Sequence, residues 1–85
     1  QELAIYIERL DITEEIVRLK GHLANFRETL YSSDSMGRKL DFIIQEMVRE
    51  TNTIGSKSND LFINELVIKI KVEIEKMREQ VQNVE

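Results

Sequence analysis

Glu46 and Glu50 stand four residues apart in LDFIIQEMVRE, a spacing that puts both carboxylates on one face of a helix and within reach of a single ion. Two carboxylates so placed can hold Mg or Mn through oxygen ligands, with water and substrate phosphate completing the shell. They can equally face solvent or pair with a neighbouring arginine. His22 is the one histidine of the chain, with Arg18 four and Glu15 seven residues before it on the same helical face. It can serve as a nitrogen ligand, act as a base toward a ribose 2′-hydroxyl, or sit at a boundary without chemistry. Gly37-Arg38-Lys39 joins cations to the free amides of a helix start, and Asn52-Thr53-Ile54-Gly55-Ser56-Lys57 joins hydroxyls, a glycine and a lysine. Both are donor sets that suit phosphate, and both also read as a helix cap and a loop. Neither is a GxxxxGK[ST] phosphate loop, and GxSxG and HExxH are absent, which removes common nucleotide and hydrolase templates. The five Phe and Tyr residues fall mostly on or near apolar stripes, so no basic surface interleaved with aromatics is visible.

The elements that must position these groups are helices. Proline is absent, and apolar residues recur at helical spacing almost throughout, with breaks at Gly and at Ser/Asn/Asp clusters. The expected architecture is all-α: a long helical hairpin or three-helix module with a short middle helix, a polar loop and a coiled-coil-like last helix. The first helix spans about Glu2 to Leu30, with Leu3, Tyr6 and Leu10 on one stripe and Ile16, Leu19, Leu23, Phe26 and Leu30 on another. The register changes at Asp11-Ile12-Thr13-Glu14, where Asp11 and Glu14 have the spacing of a capping box, so a kink or restart is expected there. Ser32-Ser33-Asp34-Ser35 followed by Gly37 signals a turn. The second helix, from about Arg38 to Thr51, carries Leu40, Ile43, Ile44, Met47 and Val48, and Gly55 to Asp60 reads as a loop in which Ser58, Asn59 or Asp60 caps the third helix. That third helix continues to about Asn83 with Val67, Ile70, Ile74, Met77, Val81 and Val84 in alternating three- and four-residue steps. It would extend about 35 Å and could pair antiparallel with much of the first helix.

Composition bounds the rest. A chain of 85 residues, 41% apolar, is one domain with limited capacity for burial, so it needs a partner surface or a staple. With no Cys, that staple is neither a disulfide nor a thiolate zinc site, and oligomerisation or packing on another domain remains. No apolar run approaches membrane-spanning length and no signal-peptide pattern is present, so the expected setting is soluble and cytoplasmic. The start at Gln1, already in helical sequence, reads as part of a longer polypeptide. A net charge of -4 argues against general polyanion binding, but Arg18, Lys20 and Arg27 succeed one another with no acid between, and Arg38, Lys39, Arg49 and Lys57 add to them. Converged in the fold, they would form a local anion site on an acidic protein.

The string GRKLDFIIQEMVRETNTIGSKSND from Gly37 to Asp60, with DITEEIVRLKGHL from Asp11 and REQVQNVE closing the chain, closely resembles the C-terminal domain of the YicC/YloC family of bacterial endoribonucleases. The resemblance covers nearly the whole chain and is specific in the order and spacing of GRKLDF, NTIGSKSND and REQVQN. It implies that residues 1–85 are a single C-terminal helical domain, preceded in the parent by an RNA-binding N-terminal domain absent here. It further implies RNA cleavage aided by a divalent metal, Mn or Mg, and a ring-like homo-hexamer. By position, the family's polar signature falls on Glu15, Arg18 and His22; on Gly37, Arg38, Lys39, Asp41, Gln45, Glu46, Arg49 and Glu50; and on Asn52, Thr53, Gly55, Ser56 and Lys57. Gly21 departs from the serine expected in relatives. The expectation is that His22, Glu46 and Glu50 form a catalytic metal or acid/base site, while Arg18, Arg38, Lys39, Arg49, Ser56 and Lys57 contact RNA. The rival expectation is a non-catalytic assembly module whose patterned third helix builds the oligomer.

Overall fold

A computed structural model describes residues 2–32 and 37–84, with side chains described at 2, 3, 11–32 and 37–83. Three helices succeed one another: α1 (Glu2–Leu30), α2 (Gly37–Lys57) and α3 (Leu61–Val84). The turn expected at residues 33–36, and the side chains of Tyr6 and Leu10, lie outside the described residues.

Helix α2 is the centre of the molecule. Its Leu40, Ile43, Ile44, Met47, Glu50, Thr51 and Ile54 are buried, with α1 against one side and α3 against the other. Phe26 from α1 and Ile74 and Val81 from α3 complete the core around it, and Leu19, Val48, Ile70 and Met77 pack at its edge. Each large apolar side chain fully withdrawn from water contributes about 2 kcal/mol, so this one cluster is the main stabilising feature of a small domain. Lys57 near the end of α2 reaches Asp11 and Glu15 on α1, so these two helices are antiparallel. Gly55 meets Val67 while Met47, further back on α2, lies beside Ile74, further along α3, so that pair is antiparallel too. Helices α1 and α3 therefore run parallel, which corrects the expected antiparallel pairing of the first and third helices. Among the described residues they do not pack on each other. Between them lies an apolar groove of about 350 Å³ with Met47 in its floor and Leu19, Leu23, Ile70 and Met77 in its walls.

Two boundaries differ from those the spacing predicts. Helix α1 runs unbroken through Asp11–Glu14; Glu14 is engaged one turn on by Arg18, at 2.8 Å, and forms no cap. Helix α2 is not short. It has 21 residues and passes through Asn52–Lys57, where its hydroxyls bond back to its own carbonyls: Thr51 Oγ1 to Met47, Thr53 Oγ1 to Arg49 and Ser56 Oγ to Thr53. Ile54 keeps the buried face going, and Gly55 faces α3, where a Cβ would stand 3.4 Å from a Val67 methyl. The connection to α3 shrinks to residues 58–60. Asp60 caps α3, its Oδ1 accepting from the Phe62 amide at 2.8 Å. The α3 seam is used inside the domain, since Ile74 and Val81 are buried against α2.

Gly21 lies mid-helix with nothing within 4 Å of where its Cβ would be. Gly21→Ala should therefore raise stability by about 0.5–1 kcal/mol, the helix-propensity difference alone. A urea midpoint that falls instead would show that the position meets something on its open side.

Candidate functional site

The interface between α1 and α2 is not apolar along its whole length. On α1 the residues at positions 12, 15, 19, 22, 26 and 29 face α2, and they read Ile, Glu, Leu, His, Phe, Thr. Polar groups are thus threaded into a packed seam. Glu15 is 3% exposed and Thr29 5%, the latter satisfied by donating to the Asn25 carbonyl at 2.7 Å. Across from Glu15 and His22, α2 presents Glu46, Glu50 and Lys57, spaced to share one helical face.

Glu50 is the centre of the cluster, 1% exposed. Its Oε2 accepts from Arg18 Nε at 3.1 Å and Arg49 Nη2 at 3.3 Å, and His22 Nε2 stands 4.0 Å away. Arg18 reaches three carboxylates at once, donating also to Glu14 at 2.8 Å and Glu15 at 3.0 Å. Arg49 Nη2 bridges, lying 2.7 Å from Glu46 Oε1 besides its contact with Glu50. Lys57 Nζ donates to Glu15 Oε2 at 3.1 Å and to the Asp11 carbonyl at 3.3 Å. The other oxygen of Glu15, Oε1, is buried and finds no hydrogen-bond partner among the described residues.

These contacts set the charge states. The Lys57 ammonium donating to Glu15 holds that carboxyl below the ordinary glutamate value, outweighing burial, which pushes it up. Arg49 does the same for Glu46 through its short hydrogen bond. The Glu50 carboxylate in turn raises the Arg18 guanidinium, and Glu46 raises Arg49. The connected pairs join four carboxylates to three cations, so these seven groups together carry a small negative excess.

Within this network His22, Glu46 and Glu50 each offer one ligand atom, all three within 4.8 Å of one another. An imidazole nitrogen and two carboxylate oxygens from adjacent helices are a donor set that fits a divalent ion, and the nitrogen favours Mn over the harder Mg. His22 and Glu46 are partly exposed, so solvent and a ligand can reach the open side.

Of the residues singled out in the sequence, the fold brings together Arg18, His22, Glu46, Arg49, Glu50 and Lys57. It does not bring in Arg38 and Lys39. They are exposed on the first turn of α2, twelve and eleven residues from Glu50 and thus about 17 Å along the axis. Ser56 lies in α2 rather than in a loop, its hydroxyl bonded to the Thr53 carbonyl at 3.0 Å. Glu14 carried no signal beyond the supposed cap, although its four-residue spacing from Arg18 marks an ion pair. Glu15 was part of the polar signature, but its role as joint acceptor for Arg18 and Lys57 appears only once α1 and α2 are docked.

A family profile described as "Endoribonuclease YicC-like, C-terminal" matches residues 1–85. The chain is 59% identical over all 85 residues to a protein of Clostridioides difficile (strain 630) named "Probable endoribonuclease YicC", and 44% identical over all 85 to one of the same name from Haemophilus influenzae. It spans 29% and 30% of those relatives' lengths, under a third of each.

Proposed function

This chain belongs to the YicC-like endoribonuclease C-terminal family, and from that premise we propose that it supplies the metal-binding and phosphate-binding part of an enzyme that cleaves RNA phosphodiesters. The single observation that carries the reading is the convergence of His22, Glu46 and Glu50 from two helices onto one partly open point, with their ligand atoms within 4.8 Å. His22, Glu46 and Glu50 would hold a divalent ion, Mn or Mg. Such an ion lowers the pKa of a bound water or neutralises charge developing on a phosphate. The neighbouring residues do the rest. Arg18 and Lys57 flank the ligand set, and Arg49, on the exposed side, meets a phosphate oxygen. Arg18 also orients Glu50, donating to it from a guanidinium fixed by two further carboxylates. Arg38 and Lys39, a separate cationic patch at the start of α2, contact the RNA backbone away from the cut. RNA is the substrate, an N-terminal domain of the same polypeptide supplies further binding, and the working protein is a cytoplasmic homo-oligomer, a hexamer by the family's pattern. Among the described residues no helix is long and apolar enough to cross a membrane.

The test is cleavage of an end-labelled RNA by the full-length protein with Mn and with EDTA, beside Glu46→Gln and His22→Gln variants. Both variants keep side-chain size at partly exposed positions. Each is expected to lose about 100-fold or more of the Mn-dependent rate. The product ends report the attacking group: 5′-phosphate for water, 2′,3′-cyclic phosphate for the ribose hydroxyl. Full activity in both variants would remove the site from the chemistry.

A second reading, an assembly module with the chemistry elsewhere, is favoured by a different observation. Leu61, Ile68 and Val72 form an exposed stripe on α3, at 73%, 63% and 50%, on residues that do not serve the internal seam. Of the α3 seam, Ile70, Ile74, Met77 and Val81 pack in or against the core around α2. Wild-type rates in the two variants would select it.

A further inference from the structure

We infer that Arg49 and a divalent cation exclude each other from the space between Glu46 and Glu50, and that the cation's entry frees Arg49 to bind a phosphate, so that metal and RNA bind this site cooperatively. The inference rests on the reading of His22, Glu46 and Glu50 as the ion's ligands.

Position is the first argument. A single nitrogen, Arg49 Nη2, lies within hydrogen-bond distance of one oxygen from each of the two carboxylates, 2.7 Å from Glu46 Oε1 and 3.3 Å from Glu50 Oε2. That nitrogen therefore occupies one oxygen of each of the two carboxylates that would supply the ion's oxygen ligands. A guanidinium nitrogen and an ion compete for this place, because the two cations repel at such short range and the nitrogen already occupies an acceptor site on each carboxylate.

Exposure decides which arginine leaves. The Arg18 side chain, 40% exposed, also holds Glu14 and Glu15, so its position survives loss of the Glu50 contact. The Arg49 side chain is 62% exposed, and among the described residues its carboxylate contacts are to Glu46 and Glu50. Displaced, it swings into solvent beside the ion with all its donors open.

Charge gives the displacement a consequence. Four carboxylates facing three cations make the cluster slightly anionic and unattractive to phosphate. A divalent ion reverses the sign of that excess, while the freed Arg49 presents a planar fork that matches two phosphate oxygens. A phosphate that takes Arg49 in turn removes the ion's competitor. By linkage, each ligand then tightens the other by the same factor.

The experiment uses the full-length protein, with Mn titrations by calorimetry and binding of a 2′-O-methyl oligoribonucleotide, its length checked on a gel afterwards, by fluorescence anisotropy, with and without Mn. Arg49→Met is expected to bind Mn about tenfold more tightly than wild type. Arg49→Lys, which keeps the charge but not the fork, should fall between them. Mn should strengthen oligonucleotide binding in wild type by clearly more than in Arg49→Met, where only the change of charge remains. Arg49 is exposed enough for the fold to tolerate either change, and far-UV circular dichroism checks it. Equal or weaker Mn binding by Arg49→Met, or undiminished Mn enhancement of its oligonucleotide binding, overturns the inference while leaving the metal site standing. Absence of Mn binding from every folded variant overturns the ligand assignment itself, and the inference with it.

Discussion

Glu50→Ala is expected to destabilise the domain by about 3 kcal/mol, toward the low end of the range for removing one partner of a buried ion pair. Glu50 is 1% exposed and holds two guanidinium groups, so the alanine leaves both a cavity and cations facing it. The cost stays at the low end because neither cation is stranded. Arg18 retains Glu14 and Glu15, Arg49 retains Glu46, and both side chains reach water. Burying a carboxylate at the centre of an interface contributes little net stability when its desolvation is counted, and an apolar pair of similar volume would do as well. Arg18→Met combined with Glu50→Met should therefore recover most of the loss while abolishing Mn binding. Urea midpoints with unchanged m-values provide the comparison. A single alanine variant within about 1 kcal/mol of wild type would mean that the carboxylate's partners and packing matter less than the geometry implies.

That balance explains why the site was only half legible in the sequence. Periodicity locates buried faces by their apolar residues, and on α1 it selects Ile16, Leu19, Leu23, Phe26 and Leu30. Yet Ile16, Leu23 and Leu30 are 36%, 52% and 55% exposed. The face that docks on α2 is offset from that stripe, running through positions 12, 15, 19, 22, 26 and 29, and it is less hydrophobic because Glu15, His22 and Thr29 belong to it. The polar side of the seam is met from across the interface, Lys57 donating to Glu15 and Glu50 accepting from Arg18, and such partners, 42 and 32 residues distant along the chain, leave no periodic trace. Helix α2 was the more readable element down to Thr51, its apolar residues and the buried face coinciding. Its continuation to Lys57 was obscured by a glycine and hydroxyl residues that usually mark loops. Here the hydroxyls bond to the helix and the glycine admits α3. The continuation matters for function, since two more turns of helix carry Lys57 to Glu15.

Acid should weaken the domain chiefly through Glu15. The Glu15 carboxyl is held below its ordinary value, chiefly by the Lys57 hydrogen bond. A group with a depressed folded-state pKa binds protons more readily when unfolded, so its contribution is present above the unfolded value and is lost as pH falls through the folded one. The window therefore opens below about 4.5. Glu46, lowered by Arg49, acts in the same direction, but its side chain is 24% exposed against 4% for Glu15, so solvent screening leaves it the smaller share. Protonation of Glu15 removes the charge that Arg18 and Lys57 share. Glu15→Gln should thus be less stable than wild type at pH 7, with the two curves converging as pH falls below that window. The amide fills the same volume without the charge, so convergence identifies the electrostatic contribution. A gap that stays constant from pH 7 to pH 3 would instead assign the loss to packing and hydrogen-bond geometry. In that case Glu15 would be a spacer between α1 and α2 rather than the anion that ties the Arg18 side of the site to its Lys57 side.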